Sequence, residues 1–150
     1  MVWDAIMLDG RNDLHIFDKG SVTGKRCKNE VLEPTVRLFR GAVGPDFLFM
    51  DDNATPHRAV LVYHFRESED IKVMQWPPNS PDLNPIEHVW DMLGRYIAAL
   101  CPPPNSLPEL KTALLHSWES LSVELIKTLI ESMKNHSEAC AAAKGGHTPY

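Results

Sequence analysis

Apolar residues along this chain fall into two patterns, short continuous runs and helical stripes, and each predicts a different kind of element. Short runs from Met1 to Leu8 and from Leu14 to Phe17 flank Asp9-Gly10, which predicts two strands around a tight turn because Asp-Gly suits hairpin geometry. A strand that opens at residue 1 exposes an edge in need of a neighbour, so the chain is expected to be cut off at its N-terminus. Phe47-Leu48-Phe49-Met50 is a continuous apolar run that stops at Asp51-Asp52-Asn53. It predicts a strand buried on both faces, with polar side chains at its carboxyl end. Ile71 to Met74 predicts a further short strand.

The helical stripes are longer. From Thr23 to about Arg40 the positions Val31, Leu32, Val36, Leu38 and Phe39 are roughly helical, and Pro34 is expected to kink or split that helix. Pro56 to Phe65 predicts a short helix. The rigid loop Trp76-Pro77-Pro78-Asn79-Ser80-Pro81 leads to Asn84, a good N-cap, and Pro85, a good first helical residue. Ile86, Val89, Trp90, Leu93, Ile97 and Leu100 then repeat at helical spacing, which predicts a helix from about Pro85 to Ala99. Three prolines, 102 to 104, stop it; Ser106 and Glu109 have capping-box spacing for a second helix, and Ser122 opens a third. Residues 141–150 lack the pattern and are expected to form a tail to a single domain over residues 1–140.

Composition narrows the class. With 150 residues and 43% hydrophobic content, the chain can bury a core without disulfides or structural metals. Its three cysteines form no C-x-x-C pair, which fits neither a disulfide framework nor a zinc ribbon and points to a reducing compartment. No apolar stretch reaches the ~18 residues of a membrane span, so a soluble, intracellular protein is expected. The net charge of -5 argues against a free-standing nucleic-acid module, which draws its affinity from Lys and Arg on phosphates.

Candidate chemistry lies at the two motif ends. Ligands gather at the carboxyl ends of buried strands in open α/β sheets, which places Asp51 and Asp52 in view. Strand alternation puts them on opposite faces and does not choose between them. Glu87 falls in the first turn of the later helix, beside its apolar face. A carboxylate from a strand end and another from a helix start would suit Mg²⁺ or Mn²⁺. Ordinary structural roles compete: a solvated strand end or N-cap for the aspartates, and for Glu87 the capping box Asn84-Pro85-Ile86-Glu87.

Two longer blocks sharpen this. Phe49-Met50-Asp51-Asp52-Asn53-Ala54-Thr55-Pro56-His57-Arg58-Ala59 and the block from Trp76 to Trp90, with Ser80-Pro81-Asp82-Leu83-Asn84-Pro85-Ile86-Glu87 at its centre, resemble the signature motifs of Tc/mariner transposases. The resemblance spans nearly the whole chain, from the opening hairpin to Gly145-Gly146-His147-Thr148-Pro149-Tyr150. It implies that Asp52, the acid before Asn53, and Glu87 are catalytic metal ligands. Thirty-four residues, 53 to 86, separate them, the family's own interval for Glu-type members. It implies an RNase H-like α/β fold, a mixed sheet flanked by helices, here without its first strand. It also implies Mg²⁺ or Mn²⁺ as cofactor, DNA (transposon ends and target) as substrate, a homodimer and nuclear action.

The family's first catalytic Asp and its upstream helix-turn-helix region have no counterpart after Met1. Asp4, where the family usually has Gly, lies on the second strand and is not taken as the missing ligand. Asn53, His57, Asn84 and His88 are candidates for orienting the ligands through hydrogen bonds. For the histidines this is favoured over direct ligation, since hard cations prefer oxygen. Two functional readings stay open: a metal-dependent DNA transposase domain completed upstream, and an inactive remnant or repurposed nucleic-acid-binding or dimerisation module. A third, a fragment that does not fold, would show no cooperative unfolding.

Overall fold

Pro34 does not break the helix that contains it. The computed structural model describes residues 1–52, 54–76 and 80–143, and in it one helix runs unbroken through three segments. These are α1 (Gly24–Arg26), a π-helical stretch (Cys27–Val36) and α2 (Arg37–Val43). The wide winding explains both the proline and the apolar pattern. Proline has no N–H for an α-helical bond and its ring crowds the preceding turn, whereas i→i+5 bonding, such as Arg37 N–H to the Leu32 carbonyl, loosens that turn. The buried residues are Cys27, Val31, Leu32 and Val36. Nine residues apart, Cys27 and Val36 would stand about 180° apart on an α-helix. The wider turn brings them onto one face, while Leu38 is left 66% exposed. Thr23 caps the start, its hydroxyl accepting from Arg26 N–H, and Gly44, at φ +85°, ends α2.

The described residues divide into two compact units. The first comprises Met1–Trp3 and His15–Ser80. In it β1 (Val2–Trp3) pairs antiparallel with β4 (His15–Ile16), and β5 (Leu48–Phe49) pairs parallel with β6 (Lys72–Val73). A parallel pair needs a crossover, and α3 (Val60–Ser68) supplies it. That helix begins four residues later and ends three later than its pattern suggests, because residues 55–58 form a turn first. Phe17, the π-helical residues, Phe49, Val62, Phe65 and Ile71 make the core. β5 is buried on one face only: Phe49 is 8% exposed and Leu48 50%. The expectation of burial on both faces is thereby corrected.

Gly24 lies close against Ala59. A Cβ there would overlap the Ala59 Cβ. Gly24→Ala is therefore expected to destabilise the protein by about 1–3 kcal/mol, read as a lower thermal midpoint; an unchanged midpoint would show that the approach is not close in solution.

The second unit comprises Asp4–Leu14 and the chain from Pro81 onward. β2 (Ile6–Met7) and β3 (Gly10–Arg11) form an antiparallel pair, with Gly10 at φ +154°. Helices α4 (Pro85–Ala98), α5 (Leu107–Glu119) and α6 (Val123–Ala143) follow, each with the cap its sequence suggests. The Asn84 side chain accepts from Ile86 N–H, Ser106 Oγ from Glu109 N–H, and Ser122 Oγ from Leu125 N–H. Val89, Leu93, Trp118, Leu121 and Ile126 are buried. Trp118 stacks on Trp90 at 5.5 Å and donates its indole N–H to the Asn12 carbonyl. α6 carries on to Ala143, past the expected start of the tail at 141. Residues 144–150, like Pro77, Pro78 and Asn79, lie outside the described residues. No helix of the described residues is long and apolar enough to cross a membrane.

Candidate functional site

Strand alternation separates the two aspartates after β5. Asp51 shares the buried side with Phe49 and is 7% exposed, whereas the Asp52 side chain on the other side is 48% exposed. A buried carboxylate needs a cation or hydrogen bonds. Asp51 has Arg66 of α3, whose Nη1 lies 2.5 Å from Asp51 Oδ2. The same guanidinium donates through Nη2 to the His57 carbonyl at 3.2 Å, tying the strand end to the turn after it.

Asp52 is held differently. Ala54 N–H donates to its Oδ1 at 2.9 Å, and His57 Nδ1 lies 3.0 Å from the same oxygen. The ring nitrogen misses full hydrogen-bond alignment, yet this close contact outweighs every other influence on the carboxylate. It holds the Asp52 carboxyl below its ordinary value, against a smaller opposing effect of burial. Burial works against charging His57, but the Asp52 carboxylate and the Cys27 sulfur outweigh it and push the imidazole up to about 10. Both contacts address Oδ1, and no hydrogen bond from the described residues reaches Oδ2. Atoms of Asp51, Asp52 and His57 lie within 4.8 Å of one another, a spacing that could hold a metal ion.

Glu87, Asn84 and His88 belong to the second unit. Glu87 is exposed in the first turn of α4, where its charge suits the helix dipole. Asn84 is 8% exposed and caps that helix; its own N–H goes to the Pro81 carbonyl at 2.7 Å. His88 is half-buried against the ring of His136 on α6, 5.2 Å away, and its Nε2 is buried without a hydrogen bond. Asn53 lies outside the described residues. Sequence reasoning missed Arg66, since nothing in an exposed-looking Phe65-Arg66-Glu67 marks a partner fifteen positions away. It also gave no sign that Asp4 is buried. Asp4 Oδ1 accepts from Ala5 N–H at 2.6 Å while Oδ2 is buried without a partner, and burial pushes this carboxyl up to about 8.

The donor chemistry at Asp52 fits a hard divalent cation, an accessible carboxylate with one oxygen that takes no hydrogen bond from the described residues. The family model described as DDE superfamily endonuclease matches residues 4–109. The chain belongs to the DDE superfamily endonucleases, as a Tc/mariner-type member with the RNase H-like fold. It is 36% identical to the Tc3 transposase of Caenorhabditis elegans over 135 residues, covering 90% of this chain and 41% of that protein. It is 28% identical to the Tcb2 transposase of Caenorhabditis briggsae over 151 aligned residues, 100% of this chain and 54% of that protein. The chain spans about half the length of the curated relatives it matches. Among solved structures, the catalytic domain of Mos1 mariner transposase superposes with a TM-score of 0.82 at 22% identity, over 97% of this chain and 73% of that one. Mos1 structures with Mg or Mn, and a paired-end complex with a transposon end, also match.

Proposed function

We propose that this chain is the catalytic domain for metal-dependent cleavage and transfer of DNA strands, with Asp52 and Glu87 as ligands to Mg²⁺ or Mn²⁺. The observation that carries the reading is Asp52 itself. It is a half-exposed carboxylate at the carboxyl end of a parallel strand, in the family's signature motif, with Oδ1 held and Oδ2 taking no hydrogen bond from the described residues. The exposed position of Glu87 in the first turn of α4 supports its part. The magnesium- and manganese-bound Mos1 structures support the choice of cation, and the paired-end complex supports transposon-end DNA and a dimeric assembly. Nuclear action is part of the same reading and rests on the family resemblance alone.

In this reading water or a 3′-hydroxyl attacks the phosphorus in line, and the opposite P–O bond breaks. The bound cations supply charge stabilisation and a more acidic nucleophile. Asp52 contributes a fixed negative charge whose orientation is set by Ala54 N–H and His57, and Glu87 a second, solvent-accessible one. The resemblance assigns this chain two of the family's three acids.

The test is nicking and strand transfer of supercoiled plasmid by the purified chain in Mn²⁺, beside Asp52→Asn and Glu87→Gln. Activity in the parent that both variants lose is the expected outcome. No activity from parent protein shown by circular dichroism to be folded would count against the reading. DNA binding that survives both substitutions would then support a remnant or binding module.

A further inference from the structure

Two consecutive acids at a strand end pose a selection problem, because either could take a cation and His57 is near enough to join. Coordinating atoms of Asp51, Asp52 and His57 lie within 4.8 Å of one another. We propose that Arg66 is the residue that decides between them, a positioning residue that locks Asp51 out of the ligand set and leaves Asp52 as the metal acid. The inference rests on the reading of Asp52 as a ligand.

The geometry gives Arg66 both parts of this role. Its side chain is 13% exposed and that of Asp51 5%, so the 2.5 Å pair is shielded from competing water. A buried guanidinium matches a carboxylate in charge and in donor geometry, and a cation seeking Asp51 Oδ2 would have to displace it. The second contact, from Nη2 to the His57 carbonyl, fixes the backbone of the turn whose side chain faces Asp52. Arg66 thus bonds both Asp51 and His57, whose ligating atoms lie within 4.8 Å of that of Asp52. Lysine, a point charge on a flexible stem, would keep the pairing with Asp51 but not both contacts in one plane.

Losing Arg66 makes Asp51 available, and dependence of cation binding on Asp52 disappears. The experiment is Mn²⁺ binding to the full chain, followed by electron paramagnetic resonance of free Mn²⁺, for Asp52→Asn in the parent and in an Arg66→Gln background. In the parent, Asp52→Asn is expected to weaken binding about tenfold or more. In the Arg66→Gln background it is expected to change binding by less than about threefold, and adding Asp51→Asn should abolish what remains. Arg66 as mere structural support predicts that Asp52→Asn is equally harmful in both backgrounds, and that result would overturn the proposal. Should Arg66→Gln fail to fold, Asp51→Asn alone decides. The amide still accepts from Arg66, so parent-like affinity is expected, whereas loss of binding would make Asp51 a ligand and overturn the proposal. Binding that is absent from the folded parent, or indifferent to Asp52→Asn there, overturns the reading of Asp52 and this inference with it.

Discussion

Asp52→Asn is expected to slow Mn²⁺-dependent strand cleavage about a thousandfold, equivalent to roughly 4 kcal/mol of lost transition-state stabilisation. Asparagine keeps an oxygen to accept from Ala54 N–H, so the turn should survive while the charge is lost. The thermal midpoint should therefore move far less than the rate. Asp51→Asn should show the reverse. Weakening the buried pair with Arg66 is expected to cost about 1–3 kcal/mol of stability while the folded protein still cleaves. Comparable cleavage by the Asp52→Asn and parent chains would remove Asp52 from the chemistry.

Asp4→Asn is expected to stabilise the protein, increasingly so as pH rises. The Asp4 carboxyl is raised to about 8 chiefly by burial, with a nearby Asp13 adding to the effect and the Ala5 N–H and Arg11 opposing it. In the unfolded chain the same group ionises near its ordinary 3.8. Between these values the folded state retains a proton that the unfolded state releases, so stability falls as pH rises from about 4 to about 8. The loss levels off above that window. Asparagine cannot ionise, and the variant should exceed the parent by about 2–3 kcal/mol at pH 8, roughly 4–12 °C in midpoint, with little difference at pH 4. His57 contributes an opposite kind of group, raised to about 10 by its partners. Its stabilisation is full below about 6.5 and fades toward 10, but parent and variant share it and it cancels in the difference. A midpoint difference that stays flat from pH 5 to pH 8 would show that Asp4 ionises normally in the folded protein.

The helices of the second unit were legible because their signals are local. Asn84, Ser106 and Ser122 cap the helices they precede, and Val89 and Leu93 are buried as the stripe requires. The first long helix was legible as a helix but not in its winding. Its buried set, Cys27, Val31, Leu32 and Val36, has no 3.6-residue period, and Pro34 reads as a break unless a wide turn is considered. β5 was legible as a strand, yet burial of one face or two depends on neighbours distant in sequence.

At the site, the motif pointed to Asp52 and alternation alone could not. Burial of Phe49 with Asp51 shows which of the two acids faces the core. Arg66 stayed hidden because an ion pair between a strand end and a helix fifteen residues later follows from tertiary packing, not from any period. Asp4 stayed hidden for a similar reason: a lone acid beside Val-Trp reads as surface until its surroundings close over it.

The wide winding of residues 27–36 also reverses the usual arithmetic of insertions and deletions. Removing one codon from α4 would turn everything beyond it by about 100° and carry Leu93 off the face it shares with Val89. The π-helical stretch already packs more residues into each turn than α-helical winding would. A codon lost there moves the segment toward ordinary winding, and the residue whose loss suits that winding is Pro34, whose ring crowds an α-helical turn.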